Sequence, residues 1–253
     1  MTKLKLIIGG LIFFTTDLVA QEKSPLVTDR PDMTESTVSV APGLMQIESG
    51  FHYESDEVEE MNSISRNFNS TLLRYGLVDG LEFRFGLGYS SFSIPGNTES
   101  GFEPLSFGFK YEMFKQSGIL PEMAVLNTFV PDFTGSSAFQ PEAWQGEILG
   151  AMSWGLGEIG LGANVGVAFD GNSNGAAFPY SLALGIPVSS SVGGFVEVFG
   201  LLAEEAGPMH SGNLGLTWLL NHDFQLDAYT GFGLNDRAVD WSAGFGLSYR
   251  FAL

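Results

Sequence analysis

The chain of 253 residues contains no cysteine. That excludes a disulfide framework and a cysteine-ligated zinc site. Charge is also scarce: 16% of residues are Asp, Glu, Lys or Arg, against ~25% in typical soluble domains. Cations are scarcer still, with 11 Lys and Arg against 29 Asp and Glu and a net charge of −18. A chain this acidic lacks the basic face that nucleic-acid phosphates require, so no nucleic-acid partner is expected. After residue 20 no apolar run is long enough for a membrane-spanning helix. Two things are abundant instead. Aromatics make up 13% of residues, too many for a disordered chain. Glycine occurs 33 times, close to twice the usual share of ~7%.

The first twenty residues have the layout of a secretory signal peptide. Lys3 and Lys5 form a basic start, Leu6 to Phe14 is apolar apart from Gly9 and Gly10, and Leu18-Val19-Ala20 precedes Gln21. The apolar stretch is shorter than the ~20 residues of a spanning helix, which weighs against an N-terminal anchor. Cleavage is expected after Ala20, although Leu18 is larger than the residue usual at that position.

Beyond Gln21 the dominant pattern has period two, the mark of strands with two unlike faces. Leu81, Phe83, Phe85, Leu87 and Tyr89 alternate with Glu82, Arg84, Gly86, Gly88 and Ser90. Trp241, Ala243, Phe245, Leu247, Tyr249 and Phe251 alternate with Ser242, Gly244, Gly246, Ser248 and Arg250. Twelve such segments are expected, at about 44–54, 68–77, 81–91, 104–113, 122–130, 144–154, 159–169, 177–186, 193–202, 212–220, 224–234 and 241–251. Each approaches the ~9–11 residues of a tilted membrane-spanning strand. The facing of 122–130 and 193–202 stays open. In the other ten segments the apolar parity has no charged residue, while the opposite parity carries Glu48, Glu54, Arg74, Glu82, Arg84, Lys110, Glu112, Glu147, Asp227 and Arg250. Lipid outside and a polar lumen inside would require that division.

The connections alternate as well. Short turns at 78–80, 155–158 and 221–223 lie between longer segments such as 55–67, 92–103 and 131–143. Outer-membrane barrels have short periplasmic turns and long outside loops, and an even strand count returns both chain ends to the periplasm. Trp144, Trp154, Trp218 and Trp241 all fall near strand ends on the apolar parity, where headgroup-level girdles are expected. A soluble β-sandwich also alternates, but its outer parity would be richly charged rather than filled with Gly, Ser and Ala. The expected fold is therefore an all-β antiparallel transmembrane barrel of about 12 strands. Residues 1–20 form its signal peptide, 21–43 a periplasmic leader or small plug, and 44–253 the barrel.

Several segments resemble a bacterial outer-membrane family known as the putative MetA-pathway of phenol degradation. They are Thr28-Asp29-Arg30-Pro31-Asp32 with Thr34-Glu35-Ser36 and Gly43 to Glu48; Leu72 to Leu77 running into Leu81-Glu82-Phe83-Arg84; Phe107 to Tyr111; Gln225-Leu226-Asp227; and the closing Ser248-Tyr249-Arg250-Phe251. The resemblance covers roughly the whole mature chain and implies a transporter-like barrel for small hydrophobic or aromatic solutes. It supplies no agreed catalytic or binding residues. One departure is that Ala252 and Leu253 follow Phe251, which displaces the terminal aromatic that barrel-assembly machinery reads.

Motifs of soluble enzymes do not survive their context. Gly155 to Gly160 fits GxGxxG, but a strand pattern follows it and not the helix that a dinucleotide needs. Asp170 to Gly175 matches half of a calcium loop and lacks its terminal glutamate, so no metal site is assigned. His52, His210 and His222 lack the His-x-Ser order of the outer-membrane phospholipase, a barrel of equal strand count, and no catalytic residue or cofactor is assigned. Glu48, Arg74, Glu82, Arg84, Lys110, Glu112, Asp227 and Arg250 are expected to line the lumen, either as a charge-selective constriction or as an ion-pair network that closes it. Asp29, Arg30 and Asp32 belong to a segment that either plugs the periplasmic mouth by pairing with those charges or trails as a leader. The acidic run Glu54 to Glu60 is a solvated face or a cation bridge to lipopolysaccharide. The expected partners are outer-membrane lipid and lipopolysaccharide, the barrel-assembly machinery and a small-molecule solute. A closed barrel with a structural, adhesive or lipid-handling role is the alternative to a channel.

Overall fold

A computed structural model describes residues 25–58, 61–171, 175–203 and 207–253. The expected signal peptide lies outside these residues, as do the tip of the acidic run and the middle of the 170–175 loop. Among the described residues there is no helix, and the strands join into one sheet. They are β1 (Leu44–Val58), β2 (Met61–Val78), β3 (Leu81–Leu87), β4 (Tyr89–Ile94), β5 (Asn97–Phe102), β6 (Ser106–Phe114), β7 (Glu122–Val130), β8 (Gln145–Leu156), β9 (Ile159–Asp170), β10 (Ala177–Pro187), β11 (Val192–Ala203), β12 (Met209–Asn221), β13 (Phe224–Gly233) and β14 (Trp241–Ala252). Each pairs antiparallel with its neighbours in the sheet, and β1 pairs with both β2 and β14. The sheet therefore closes on itself and has no edge along the membrane, as hydrocarbon demands. Gly88 divides β3 from β4, and residues 103–105 divide β5 from β6. Each of these pairs forms one stave, so the closed wall has twelve.

Alternation fixes which face meets lipid. On the outer parity Phe245 is 61% exposed, Val165 55% and Leu216 55%, while inside the wall Arg74 and Lys110 are 0% exposed. The molecule is inside-out relative to a soluble sandwich, which would bury those apolar side chains together. The outer aromatics meet across strands, as Phe83 does Phe109 and Phe85 does Phe107. The two segments of open facing are now placed. β7 turns Ala124 and Leu126 inward and Phe129 outward; β11 turns Phe195 and Glu197 inward and Val196 and Val198 outward. Leu126 and Ala124 join Leu149 and Ala151 in a small apolar cluster.

Strand lengths differ from expectation on one side. β1 and β2 run on as a ladder to Val58 and Met61, and β4 with β5 forms a second projecting hairpin, where 55–67 and 92–103 had been expected as loops. These arms are polar, so they lack the apolar alternation that marks a strand in lipid. Backbone pairing does not need that alternation once the arms leave the membrane. At the other end the turns are tight, with Gly80 and Gly157 at φ +75 and +74 in the hairpin tips, a backbone state that glycine adopts without strain. Short turns and the C-terminus share this end, which makes it the periplasmic one.

Candidate functional site in the barrel lumen

The inner wall has an electrostatic problem built into its register. Arg74 of β2 lies directly opposite Arg84 of β3, with Lys110 of β6 opposite the neighbouring Glu82. Like charges facing each other across strands repel, and repulsion is strongest where water is excluded. Wall carboxylates resolve part of it. Arg74 donates from Nε and Nη2 to the two carboxylate oxygens of Glu82 at 2.9 and 3.0 Å, and from Nη1 to Glu48 at 2.8 Å. Arg84 Nη1 donates to Glu82 at 3.0 Å.

The remainder comes from residues that precede the barrel. The chain from Pro25 to Gly43 lies inside the periplasmic half of the wall. Asp29 Oδ2 sits 3.1 Å from Arg74 Nη1 and 2.6 Å from Arg84 Nη1, between the two opposed arginines. Lys110 Nζ donates to both Asp29 oxygens at 2.8 and 2.7 Å. Both carboxylate oxygens of Glu35 accept from Arg84 Nη2, at 2.8 and 3.0 Å. Backbone groups of the segment are satisfied by the same wall charges. Asp29 N donates to Glu48, Val40 N to Glu82 at 2.7 Å and Ser39 N to Glu112 at 2.7 Å, while Val38 O accepts from Arg74 at 2.8 Å. Buried polar groups left without such partners would each cost a few kcal/mol, so segment and wall satisfy each other.

Arg30 forms a second anchor, pairing with Asp227 of β13 at 3.0 Å. It reaches the wall through the space above Gly50 and Gly246. A Cβ on either glycine would collide with the guanidinium. On the opposite wall the contacts carry no ion pair among the described residues. Thr34 Oγ1 lies 2.8 Å from Ser181 Oγ and also meets Glu197; Met33 N donates to Glu197 at 2.9 Å and Glu35 N to Asn164 at 2.7 Å.

Burial works against the ionised form of Asp29, but Arg74, Lys110 and Arg84 together outweigh it and hold the carboxyl well below the usual range. Burial pushes Glu35 up to about 7, with Arg84 opposing and Asp29 reinforcing the rise. The three cations Arg74, Arg84 and Lys110 therefore face the Glu48 and Glu82 side chains of the wall, the Asp29 carboxyl held low and the Glu35 carboxyl raised to about 7. Asp32 differs: burial, and then the Glu197 charge, push it well above the ordinary carboxylate range.

The structure thus brings Glu48, Arg74, Glu82, Arg84 and Lys110 into one network with Asp29, and links Asp227 to it through Arg30. Glu112 and Arg250 stand apart at the rim. Glu112 receives Lys115 at 2.6 Å, and Arg250 donates to Asp223 at 2.9 Å in the turn before β13. Asp32, expected to pair with wall charges, has no ion pair among the described residues. Farther outward, His52 lies 2.5 Å from Tyr229 Oη and 2.9 Å from Glu54, and His210 lies 2.6 Å from Tyr180 Oη. These ring partners are tyrosines and a glutamate, not the serine of a hydrolase.

The sequence profile of the family described as "Putative MetA-pathway of phenol degradation" matches residues 28–251. The chain belongs to this family. The matched region takes in the lumen segment from Thr28 onward as well as the barrel, so this family member's site lies within the family's own limits. Among solved structures, the fold is similar to an outer membrane channel from Pseudomonas putida F1, with a TM-score of 0.72 at 11% identity over 84% of this chain and 97% of that one. It is also similar to the beta domain of the Bordetella autotransporter BrkA, with TM-score 0.55, 13% identity and coverage of 82% and 99%. A third is the translocator domain of the autotransporter NalP from Neisseria meningitidis, with TM-score 0.52, 14% identity and coverage of 84% and 90%. No curated protein sequence matches. The fold is that of bacterial outer-membrane barrels, and the outer membrane is where this family member resides.

Glu35, Thr34, Asn164, Ser181 and Glu197 also belong to the site. Sequence reasoning missed them for two reasons. The facing of β11 was open, which hid Glu197. Asn164 and Ser181 are small polar residues on the inner parity, indistinguishable from the rest of a wall rich in Gly and Ser. Glu35 could have been found, because it lies in the same segment as Asp29 and the wall has more cations nearby than Asp29 alone could neutralise.

Proposed function

We propose that this chain is an outer-membrane channel for the passive passage of small hydrophobic or aromatic solutes, held closed at rest by its own residues 25–43. The observation that carries the reading is the nature of the filling. The lumen is occupied by a separable stretch of chain tied to the wall by salt bridges and not by bulky wall side chains, and a stretch of chain can move where a packed wall cannot. The family description and the likeness to a channel support the solute class and the passive mode. Transport in this reading consists of partition and selective contact, with no covalent step and no cofactor. Outer-membrane lipid and lipopolysaccharide surround the apolar belt, and the barrel-assembly machinery reads the C-terminal strand around Phe251.

The same ion pairs also favour a second reading, a permanently closed barrel with a structural, adhesive or lipid-handling role, because breaking a buried pair is costly. Planar-bilayer recording of the purified full-length protein separates the two. A channel gives discrete current steps, infrequent at rest, that added aromatic solutes modulate. A silent bilayer with verified insertion supports the closed barrel.

A further inference from the structure

We propose that solute crosses the periplasmic half of the lumen through a crevice between residues 26–36 and the wall formed by β9 to β12, with the Asp32 carboxyl as its polar contact; this rests on the channel reading above. The attachment of the segment is lopsided. Its ion pairs go to β2, β3, β6 and β13 through Arg74, Arg84, Lys110 and Asp227. Toward β9, β10 and β11 it is held by hydrogen bonds, two each to Asn164 and Glu197 and one to Ser181, with no ion pair among the described residues. The second side is the one that releases first, because hydrogen bonds there exchange for water with little net loss, whereas separated buried charges do not.

The same side is hollow. Two cavities of about 400 and 220 Å³ flank the segment there. Gly160, Gly185 and Phe195 line both, and the larger one also takes in Gly193, Arg30 and Glu158. The volumes suit a small molecule with one ring. Asp32 lines both cavities and is the carboxyl of the segment that no cation among the described residues claims. Phe195 beside the Asp32 and Glu158 carboxyls, in a lining whose one cation, Arg30, is already paired with Asp227, fits a neutral solute that has an apolar body and one hydrogen-bonding group.

The chain has no native cysteine, so a single disulfide can be introduced cleanly. Thr34 Oγ1 and Ser181 Oγ are 2.8 Å apart, and Thr34→Cys with Ser181→Cys places two sulfurs within bonding reach. In planar bilayers the oxidised double variant should lose its current, and reduction should restore it. In the reduced or wild-type protein, benzyl alcohol should block the current at concentrations where benzoate does not. Asp32→Leu should raise the half-blocking benzyl alcohol concentration about tenfold, the loss of one hydrogen bond. If the oxidised bridge, confirmed by gel shift, leaves a conducting protein unchanged, the crevice is not the path and the channel reading stands. If the bridge silences the protein but Asp32→Leu leaves the block unchanged, Asp32 is not the contact. If wild type never conducts, the channel reading fails and this inference falls with it.

Discussion

Asp29 acts as the counter-charge that lets Arg74 and Arg84 share a register. With Asp29→Asn the two guanidiniums keep Glu48 and Glu82 but lose the carboxylate between them. Breaking a buried pair costs about 3–5 kcal/mol, and here that cost is capped by the free energy of docking, because the segment can leave while the barrel stays folded. Thermolysin should then cut native Asp29→Asn near Val38 and Val40 while sparing wild type, and the barrel should keep its folded migration on unheated gels. Acid should act at the same residue. The carboxyl of Asp29 is depressed below 3.8 in the folded molecule, so its contribution to docking is complete above that value and is lost as pH falls through the depressed one. Glu35 has the opposite sign. It is raised from 4.5 to about 7, so docking gains as pH drops through that window. Resting current should stay low or fall between pH 8 and 5 and rise only well below pH 3.8. A rise near pH 6 would mean that Glu35, and not Asp29, carries the attachment.

Among the elements, the strands were legible because lipid and lumen impose opposite chemistry on alternate residues. Val165 and Phe245 against Asn164 and Ser248 read clearly in a single sequence. The polar arms of β1, β2, β4 and β5 beyond the membrane did not, because nothing outside the bilayer enforces alternation there. The facing of β11 was obscured because Val196 and Val198 alternate with Phe195, Glu197 and Phe199, so that both parities are apolar apart from one glutamate. Two substitutions test the elements. Val165→Arg, near the middle of β9 on the lipid face, should destabilise the barrel by about 2–4 kcal/mol in denaturant titration from lipid vesicles. Gly246→Val should push the Arg30 guanidinium off Asp227, raising resting current as Asp227→Asn does, and should cost some barrel stability, because its Cβ would also stand 2.6 Å from the Ser49 carbonyl oxygen. If Gly246→Val left the resting current unchanged, Arg30 would not be an anchor.

Taken as a whole, the molecule is a closed wall of twelve staves whose stability belongs to its lipid-facing belt and its hydrogen-bond ladder, with a short stretch of its own chain as the content of its lumen. That division of labour was half visible in the sequence. The wall charges and the distinctive Thr28 to Ser36 stretch could both be read, yet which charge meets which depends on the register of β2 against β3 and on contacts nearly two hundred residues apart, such as Arg30 with Asp227, which local pattern does not encode. The separation of wall and filling has a direct consequence, since the filling can be removed without touching the wall. Deletion of residues 21–40 should give a protein that still folds and inserts, and its single-channel conductance in planar bilayers should exceed that of the full-length chain under the same salt. Equal conductance in the two proteins would contradict the view that this segment closes the barrel.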